Sequence, residues 1–532
     1  MESNEVYSQD QISVPVPVAN PLRFTAADKV YAFLCVALGF LFFKLLFKNF
    51  GLSLSLYVFI FFACALAYLI CQKAKIGIFN TVALGVLLLL GCNFFMSSNI
   101  FIKFLNILFL ILASVYWFFA TSGNREGKKI DIMFIFDVFK ALLIPFMHLE
   151  RQFFALRAVF AKKTWVKKLP LVILALVITL PLTALIIFLL MQSNEAFAGF
   201  INLIFSNFFD DFLKNLVING FLFIISIPVS MYFFSMFYAN TRKLDRKLLS
   251  YEKNKKTMQA FKIAPRLIGY IIMIPAIIVY LLYFISQLAY ITSVFQNILP
   301  EEYTLAQFAK AGFGELCVVA FINICIICGV NILSEHKDGK PTPLNRILSA
   351  VFAVMTLGLV GTMLWKMKMY MDGYGLTINR IYATWFILGV GLIFMAVLAK
   401  QFFLEFPTAK IIILGITAMF LILSFSRLDG VIAKYNIDSY RNGNLKELDV
   451  EMLTRLSDGA VPYICSLVEE DNEEIANEAK NYVAGLKVKF ENHDGFNSSV
   501  FNYNHWLEFN FESYRARKAV ENVNIERGAM RS

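Results

Sequence analysis

Charged side chains are few in this chain, so the places where they cluster carry its first chemical clues. One such group runs Lys366-Met-Lys-Met-Tyr-Met-Asp-Gly-Tyr-Gly-Leu-Thr-Ile-Asn-Arg380. Lys366, Lys368 and Arg380 set three cations against the lone carboxylate of Asp372, and Tyr370 and Tyr374 follow Lys366 at helical spacing. Such a loop could hold an anion or a lipid headgroup phosphate, because charged donors bond phosphate oxygens strongly. A second polar stretch, Arg427-Leu-Asp-Gly-Val-Ile-Ala-Lys-Tyr-Asn-Ile-Asp-Ser-Tyr440, brings Arg427, Asp429, Lys434, Asn436 and Tyr440. The alternative is structural. Gly373 and Gly375 would make a turn, the tyrosines would sit in a membrane's aromatic belt, and Arg380 or Arg427 would pair with an acid of a docked domain.

The rest of the chain is thin in catalytic material. The four histidines, His148, His336, His493 and His505, are scattered, whereas a zinc or iron site needs clustered His, Cys and carboxylate ligands. Cys325 and Cys328 form a C-x-x-C flanked by Ile and Val with no second pair, which points to packing. No phosphate-binding G-x-x-x-x-G-K-[ST] loop occurs, and no kinase or nucleophile-elbow pattern either. No catalytic, cofactor-binding or metal residues are therefore expected, and the balance points away from an enzyme.

What must position the clusters is a membrane domain. Of 532 residues, 58% are hydrophobic, 16% are charged and 56 are phenylalanine; a soluble domain carries roughly 25% charge. About eleven runs approach the roughly 20 apolar residues that cross a bilayer: 30–47, 51–71, 77–96, 100–121, 169–191, 215–239, 267–291, 313–333, 347–365, 381–399 and 409–427. Lysine and arginine concentrate in segments 122–168 and 240–266. The opposite loops hold little beyond Lys44, Lys48, Lys103, Lys214, Lys310, Lys366, Lys368 and Arg380. The bias toward cytoplasmic cations places the N-terminus inside, and an odd span count then places the C-terminus outside. Residues 1–28, with Pro15, Pro17 and Pro21, read as a disordered cytoplasmic tail, and 29–427 as the polytopic domain. Interfacial amphipathic helices are expected near 131–165 and 195–213, with a re-entrant hairpin as the alternative for 131–165. Intramembrane Asn80, Asn106, Asn219 and Asn323 are expected to tie helices together.

The basic loop 240–266 suits the anionic inner leaflet. A nucleic-acid partner is not expected, since only Tyr251 is interleaved as a stacking residue. Residues 428–532 turn polar and helical in pattern, with helices expected over 472–488 and from His505 through Val520. They predict a small α-helical domain, extracytoplasmic and a possible docking module for a protein partner. Its lone Cys465 leaves it without an internal disulfide. The fold class is an all-α integral membrane protein with this C-terminal soluble domain.

Tyr374, Gly375, Leu376, Thr377 and Arg380 form a Tyr-Gly-Leu-Thr-x-x-Arg element late in the chain. Asn436, Tyr440, Ser457, Asp458, Ala460 and Pro462 follow at a junction rich in Asn and Tyr. These elements resemble two related bacterial membrane-protein families known only as domains of unknown function, four-one-five-three and four-one-seven-three. The resemblance extends over most of 30–520. It implies a polytopic core, a helical tail and an inner-membrane location, and it implies no activity. Two functions remain. One is envelope sensing or scaffolding, with the C-terminal domain as the interaction module. The other is a carrier or flippase-like role for an amphipathic anion. Against the carrier stand the near-absence of mid-span acids and arginines and the lack of a repeated half.

Overall fold

The computed structural model describes residues 24–46, 51–125, 133–160, 209–244, 266–286, 313–333, 342–495 and 508–524, with scattered positions from 179 to 199. Its first part comprises α1 (Ala26–Leu46), α2 (Leu52–Cys71), α3 (Ile78–Met96), α4 (Ile100–Thr121), α5 (Met133–Met147), α6 (Glu150–Phe160) and α7 (Phe209–Arg242). Next come α8 (Arg266–Ser286), α9 (Phe313–Leu333), α10 (Pro343–Tyr374), α11 (Ile378–Phe402) and α12 (Thr408–Phe425). The chain closes with α13 (Leu428–Arg441), α14 (Val450–Thr454), α15 (Val461–Ile464), α16 (Glu473–Gly495) and α17 (Phe511–Glu521). Among the described residues there is no strand, and 9 helices are long and apolar enough to cross a membrane. This is an all-α polytopic membrane protein.

Two of the eleven expected spans are not among those helices. Residues 313–333 do form α9, but its apolar stretch is the shorter Cys317–Val330. The expected span 169–191 lies mostly outside the described residues, as do most of 195–213, the basic loop beyond Leu244 and the loop 497–502. Helix α1 starts at Ala26, inside the stretch expected as tail. Thr25 and Asp28 cap that start reciprocally: Thr25 N donates to Asp28 (2.8 Å), and Asp28 N donates to the Thr25 hydroxyl (3.2 Å). This satisfies two amide donors that a helix start otherwise leaves orphaned.

The bundle has two apolar cores. One gathers side chains of α1 to α7, among them Leu38, Phe62, Leu90, Phe118 and Phe237. The other gathers α8 to α11, among them Met273, Phe352, Val390 and Phe394. Small residues set the closest approach in the first: a Cβ on Gly39 would lie 3.0 Å from Ser230 of α7, the close contact that membrane helices use in place of hydrophobic drive. Asn106 and Asn323 act through their side chains, as expected of intramembrane asparagines. Asn106 donates to Leu90 O (2.8 Å), and Asn323 bridges Tyr280 and the Thr356 hydroxyl.

Helices α5 and α6 lie against α1, α4 and α7. Their inward face buries the polar Asp137 and Gln152 and the small Ala141 and Ala155 beside Ile144, while the large Ile135, Phe139, Leu143, Phe146 and Phe153 point out. That is the reverse of a water-facing amphipathic helix and suits lipid contact. Gln152 donates to Ala32 O (2.8 Å) and to Ser230 Oγ (2.7 Å).

The five last helices share a third core, with Ile437, Leu453, Ile464, Leu467, Val483 and Val520 inside. A fourth cluster joins the C-terminal helices to α4, α11 and α12 at one end of the bundle. It sets Ile102 of α4, Leu423 of α12 and Leu428 and Ile432 of α13 beside Leu376 and Tyr382.

Candidate functional site

The segment 366–380 is not a loop, as the sequence reading had it. Helix α10 continues through Lys366, Lys368, Tyr370 and Asp372 to Tyr374 and stops only at Gly375, whose φ of 73° lies in the left-handed region. No residue from Lys366 to Asp372 opposes helix. Glycine ends it because that backbone conformation carries no penalty without a Cβ.

Arg380, in the first turn of α11, folds back over this end. Its guanidinium lies 3.9 Å from the Tyr370 ring centre and 6.0 Å from that of Tyr374, and it donates to Tyr374 O (2.9 Å) and Gly375 O. Arg380 thus caps the last carbonyls of α10, where a cation also meets the negative end of the helix dipole. Lys368 lies over Trp365, 5.4 Å from its ring centre, and Asp372 is exposed. Lys366 and Lys368 sit roughly 9–12 Å back along α10 from Tyr374, at 1.5 Å per residue. The three cations therefore do not converge on one anion. Thr377 precedes α11 without making a side-chain cap.

The C-terminal helices grip the bundle at this end through the side chains of Asn436, Asp429, Asn510 and Glu512. Asn436 of α13 accepts from Leu376 N (2.7 Å) and donates to Leu376 O (2.8 Å). A Cβ on Gly375 would come within 2.6 Å of Asn436 Oδ1, so the glycine also makes room for this clamp. Asp429, buried, accepts from Asn99 Nδ2 (2.9 Å) and from the Ser457 hydroxyl, while Asn99 Oδ1 caps α4 at Ile102 N (3.0 Å). Asn510 joins two helix ends: its Oδ1 accepts from Glu512 N (3.0 Å) and Ser513 N (3.2 Å), and its Nδ2 donates to Ser97 O (2.5 Å) beyond α3. Glu512 accepts from Ser98 N (2.7 Å) and Ser98 Oγ (2.9 Å). Burial pushes its carboxyl above the ordinary range, and the Ser98 donors oppose that shift. The chain before α17 touches α2 as well, where Leu52 N donates to Phe509 O (3.0 Å).

Arg427 begins α13 in the left-handed conformation, φ 49° and ψ 52°, with its guanidinium 5.0 Å from the Phe511 ring centre. Tyr440 sits away from these contacts, packed on the C-terminal core with its hydroxyl 3.4 Å from Asn472. The sequence-based set thus divides. Tyr370, Tyr374 and Arg380 form one unit, Asn436, Asp429 and Arg427 belong to the domain junction, and Lys366, Lys368, Asp372, Thr377 and Tyr440 join neither.

Asn99, Asn510 and Glu512 are the junction residues that sequence reasoning missed. Their local signals are modest: a polar Ser97-Ser-Asn99 triplet between two apolar runs, and Asn510 two residues before an acid in a helix's first turn. Last, α17 starts at Phe511 rather than at His505, because Asn510 supplies its cap.

A small cavity of about 140 Å³ opens beside the junction, lined by Ser426, Arg427, Gly430, Val431, Gly459, Pro462, Tyr463, Glu512 and Arg515. Among the described residues no group of three His, Cys, Asp or Glu side chains is placed to hold a metal ion.

No curated protein and no solved structure matches the chain. The family model described as "Domain of unknown function (DUF4153)" matches residues 84–467. That range is narrower than the sequence resemblance suggested. It takes in Asn99, Leu376, Asp429 and Asn436 of the junction and stops short of Asn510 and Glu512. Covering well over half of the chain, the match shows that this protein belongs to the DUF4153 family.

Proposed function

We propose that this protein is a scaffold or sensor of the bacterial inner membrane, with its C-terminal helical domain, residues 428–532, as the interaction module on the extracytoplasmic face. One observation carries the proposal: Asn436, Asp429, Asn510 and Glu512 join that domain to the loops after α3 and α10. Polar groups that could have formed a binding site are engaged in holding a domain, and a firmly held domain can transmit force or binding into the bundle. The same contacts put the ends of α3, α10 and α12 and the start of α2 at one end of the bundle. Asp28, Gln72 and Arg242 meet at the other, near Lys73, Lys75 and Lys243. Cations favour the cytoplasmic side, which supports a cytoplasmic N-terminus. In the same reading the basic loop 240–266 rests on anionic inner-leaflet lipids, and the partner of the module is a protein.

A carrier for an amphipathic anion is the second reading, favoured by the two separate apolar cores, which could move against each other. A membrane-impermeant maleimide on intact cells, with any outer barrier opened, tests the sidedness. Cys465 is a poor reporter, because burial pushes its thiol up to about 11. Exposed positions are better: Asn444→Cys is expected to label and Lys75→Cys to stay silent until the membrane is broken. The reverse pattern would put the module in the cytoplasm and end the envelope role. Lys366→Gln and Lys368→Gln separate the two functions. The scaffold reading expects anion and lipid binding to be unchanged, whereas a loss with normal insertion favours the carrier.

A further inference from the structure

Most arginines among the described residues are engaged by other groups of the chain. Arg242, Arg441, Arg455 and Arg517 each hold a carboxylate, and Arg346 and Arg380 hold main-chain carbonyls. Arg427 and Arg515 hold neither among the described residues, and both line the cavity between α13, α15 and α17. A guanidinium forms paired, charge-assisted bonds to carboxylate or phosphate oxygens, so two of them at one cavity form an oxyanion site. At about 140 Å³ the cavity is well below the roughly 300–1,000 Å³ of pockets for drug-sized ligands. It takes a small group and not a whole nucleotide.

Charge and depth narrow the group further. Glu512 is also in the wall, fixed by its bonds to Ser98. With that carboxylate charged, the two arginines leave a single net positive charge, which matches the one negative charge of a phosphodiester better than the two of a phosphate monoester. The first wall residue, Ser426, directly follows the last residue of α12, and Ser98 follows the end of α3 by two residues. These are the ends of membrane helices, where lipid phosphates lie. Phe509 and Tyr514, both exposed and 6.1 Å apart between ring centres, stand on the same helix start, as side chains of an interfacial aromatic belt do. Arg427 also keeps a left-handed backbone that a glycine would adopt without cost; its side chain supplies what a glycine could not.

We infer that Arg427 and Arg515 form a binding site for a singly charged phosphodiester at headgroup depth, between the C-terminal helices and the end of α12. The site is independent of the scaffold proposal, since a scaffold needs no lipid site and a lipid site does not make a carrier.

The test uses the full-length protein in a neutral sugar detergent. Short-chain phosphatidylglycerol and its chain-free headgroup, glycerophosphoglycerol, are titrated separately and read by native mass spectrometry. Wild type is expected to bind, and Arg427→Gln and Arg515→Gln are each expected to weaken binding by about tenfold, the loss of roughly 1.4 kcal/mol. Binding of both ligands shows that the oxyanion alone is recognised, and binding of the lipid only shows that the chains contribute. Arg515 is exposed, so Arg515→Gln should fold even where Arg427→Gln does not. The exposed Lys518 of the same helix controls for bulk charge. Absence of binding by wild type, or an equal loss in Lys518→Gln, overturns the site. A loss in Lys366→Gln and Lys368→Gln, with both arginine variants intact, would assign the anion to the carrier reading instead.

Discussion

Two of the buried aspartates, Asp28 at one end of the bundle and Asp429 at the other, are held in opposite ways. Asp28 receives the Thr25 amide (2.8 Å), the Tyr68 hydroxyl (2.8 Å), the Gln72 amide (3.1 Å) and the Arg242 guanidinium (3.0 Å). Asp429 receives the neutral groups of Asn99 and Ser457. The first ties together α1, α2 and α7, which already share one apolar core. The second ties a separate layer of helices to that bundle. A counter-ion stands where helices of one core are locked, and uncharged donors stand where one layer rests on another. The first arrangement suits permanence, because a buried charge that loses its partner is costly. The second suits a junction that can be loaded and released.

Replacement of each aspartate measures that difference. Asp28→Ala strips Arg242 of its carboxylate. Removing one member of a buried pair costs about 3–5 kcal/mol, but Arg242 is 33% exposed and water compensates part of the loss, leaving about 2–3 kcal/mol. The expected result is a lower thermal midpoint of the whole bundle in detergent. Asp429→Ala leaves two neutral donors unpaired, for about 1–2 kcal/mol. There the expected result is faster proteolysis of the chain around Asn442–Asn444 with the bundle midpoint unchanged. Equal effects on the bundle would erase the contrast.

Much of this was legible in the sequence, and the rest was hidden for stated physical reasons. Apolar runs of about 20 residues mark the spans because a bilayer demands that length, and the polar turn after Phe425 marks the last helices. The end of α10 was half-legible: Lys366, Tyr370 and Tyr374 recur every four residues, which is helix, yet the glycines at 373 and 375 suggested an earlier turn. The Thr25-x-x-Asp28 cap is a local signal that the proline-rich tail before it obscured. The junction was out of reach. Ser98 and Glu512 are 414 positions apart, and neither residue's type declares its partner. Arg380 illustrates the same limit, since an arginine that caps a helix and one that holds a phosphate look alike in a string of letters.

Gly375→Ala tests the junction from the bundle side. The alanine must hold a φ of 73°, at a cost of about 1–2 kcal/mol, and its Cβ would press on Asn436 Oδ1. Faster hydrogen exchange is expected in α13, with α1 to α7 unaffected. Asn436→Ala should loosen α13 too, and the double variant should lose less than the sum, because removing the asparagine removes the clash. Additive losses would mean that Gly375 acts through α10 alone.

The smallest effect comes from Glu512, and its sign is the informative part. Burial raises its carboxyl above the ordinary 4.5. Between 4.5 and that raised value, the docked state holds a proton that the undocked chain has released. Docking therefore gains as pH falls through the raised value toward 4.5, and it carries a constant penalty at higher pH. Glu512→Gln keeps an oxygen to accept from Ser98 and has no charge to bury. The variant is expected to show docking independent of pH between about 5 and 8, matching or exceeding wild type at neutral pH by a few tenths of a kcal/mol. Hydrogen exchange in α17 across that range reads it directly. If Glu512→Gln instead loosens α17 at neutral pH, the charge itself holds the domain, through Ser98 and the nearby Arg427. The two ends of the bundle would then both depend on an ion, and the contrast between Asp28 and Asp429 would not extend to the junction as a whole.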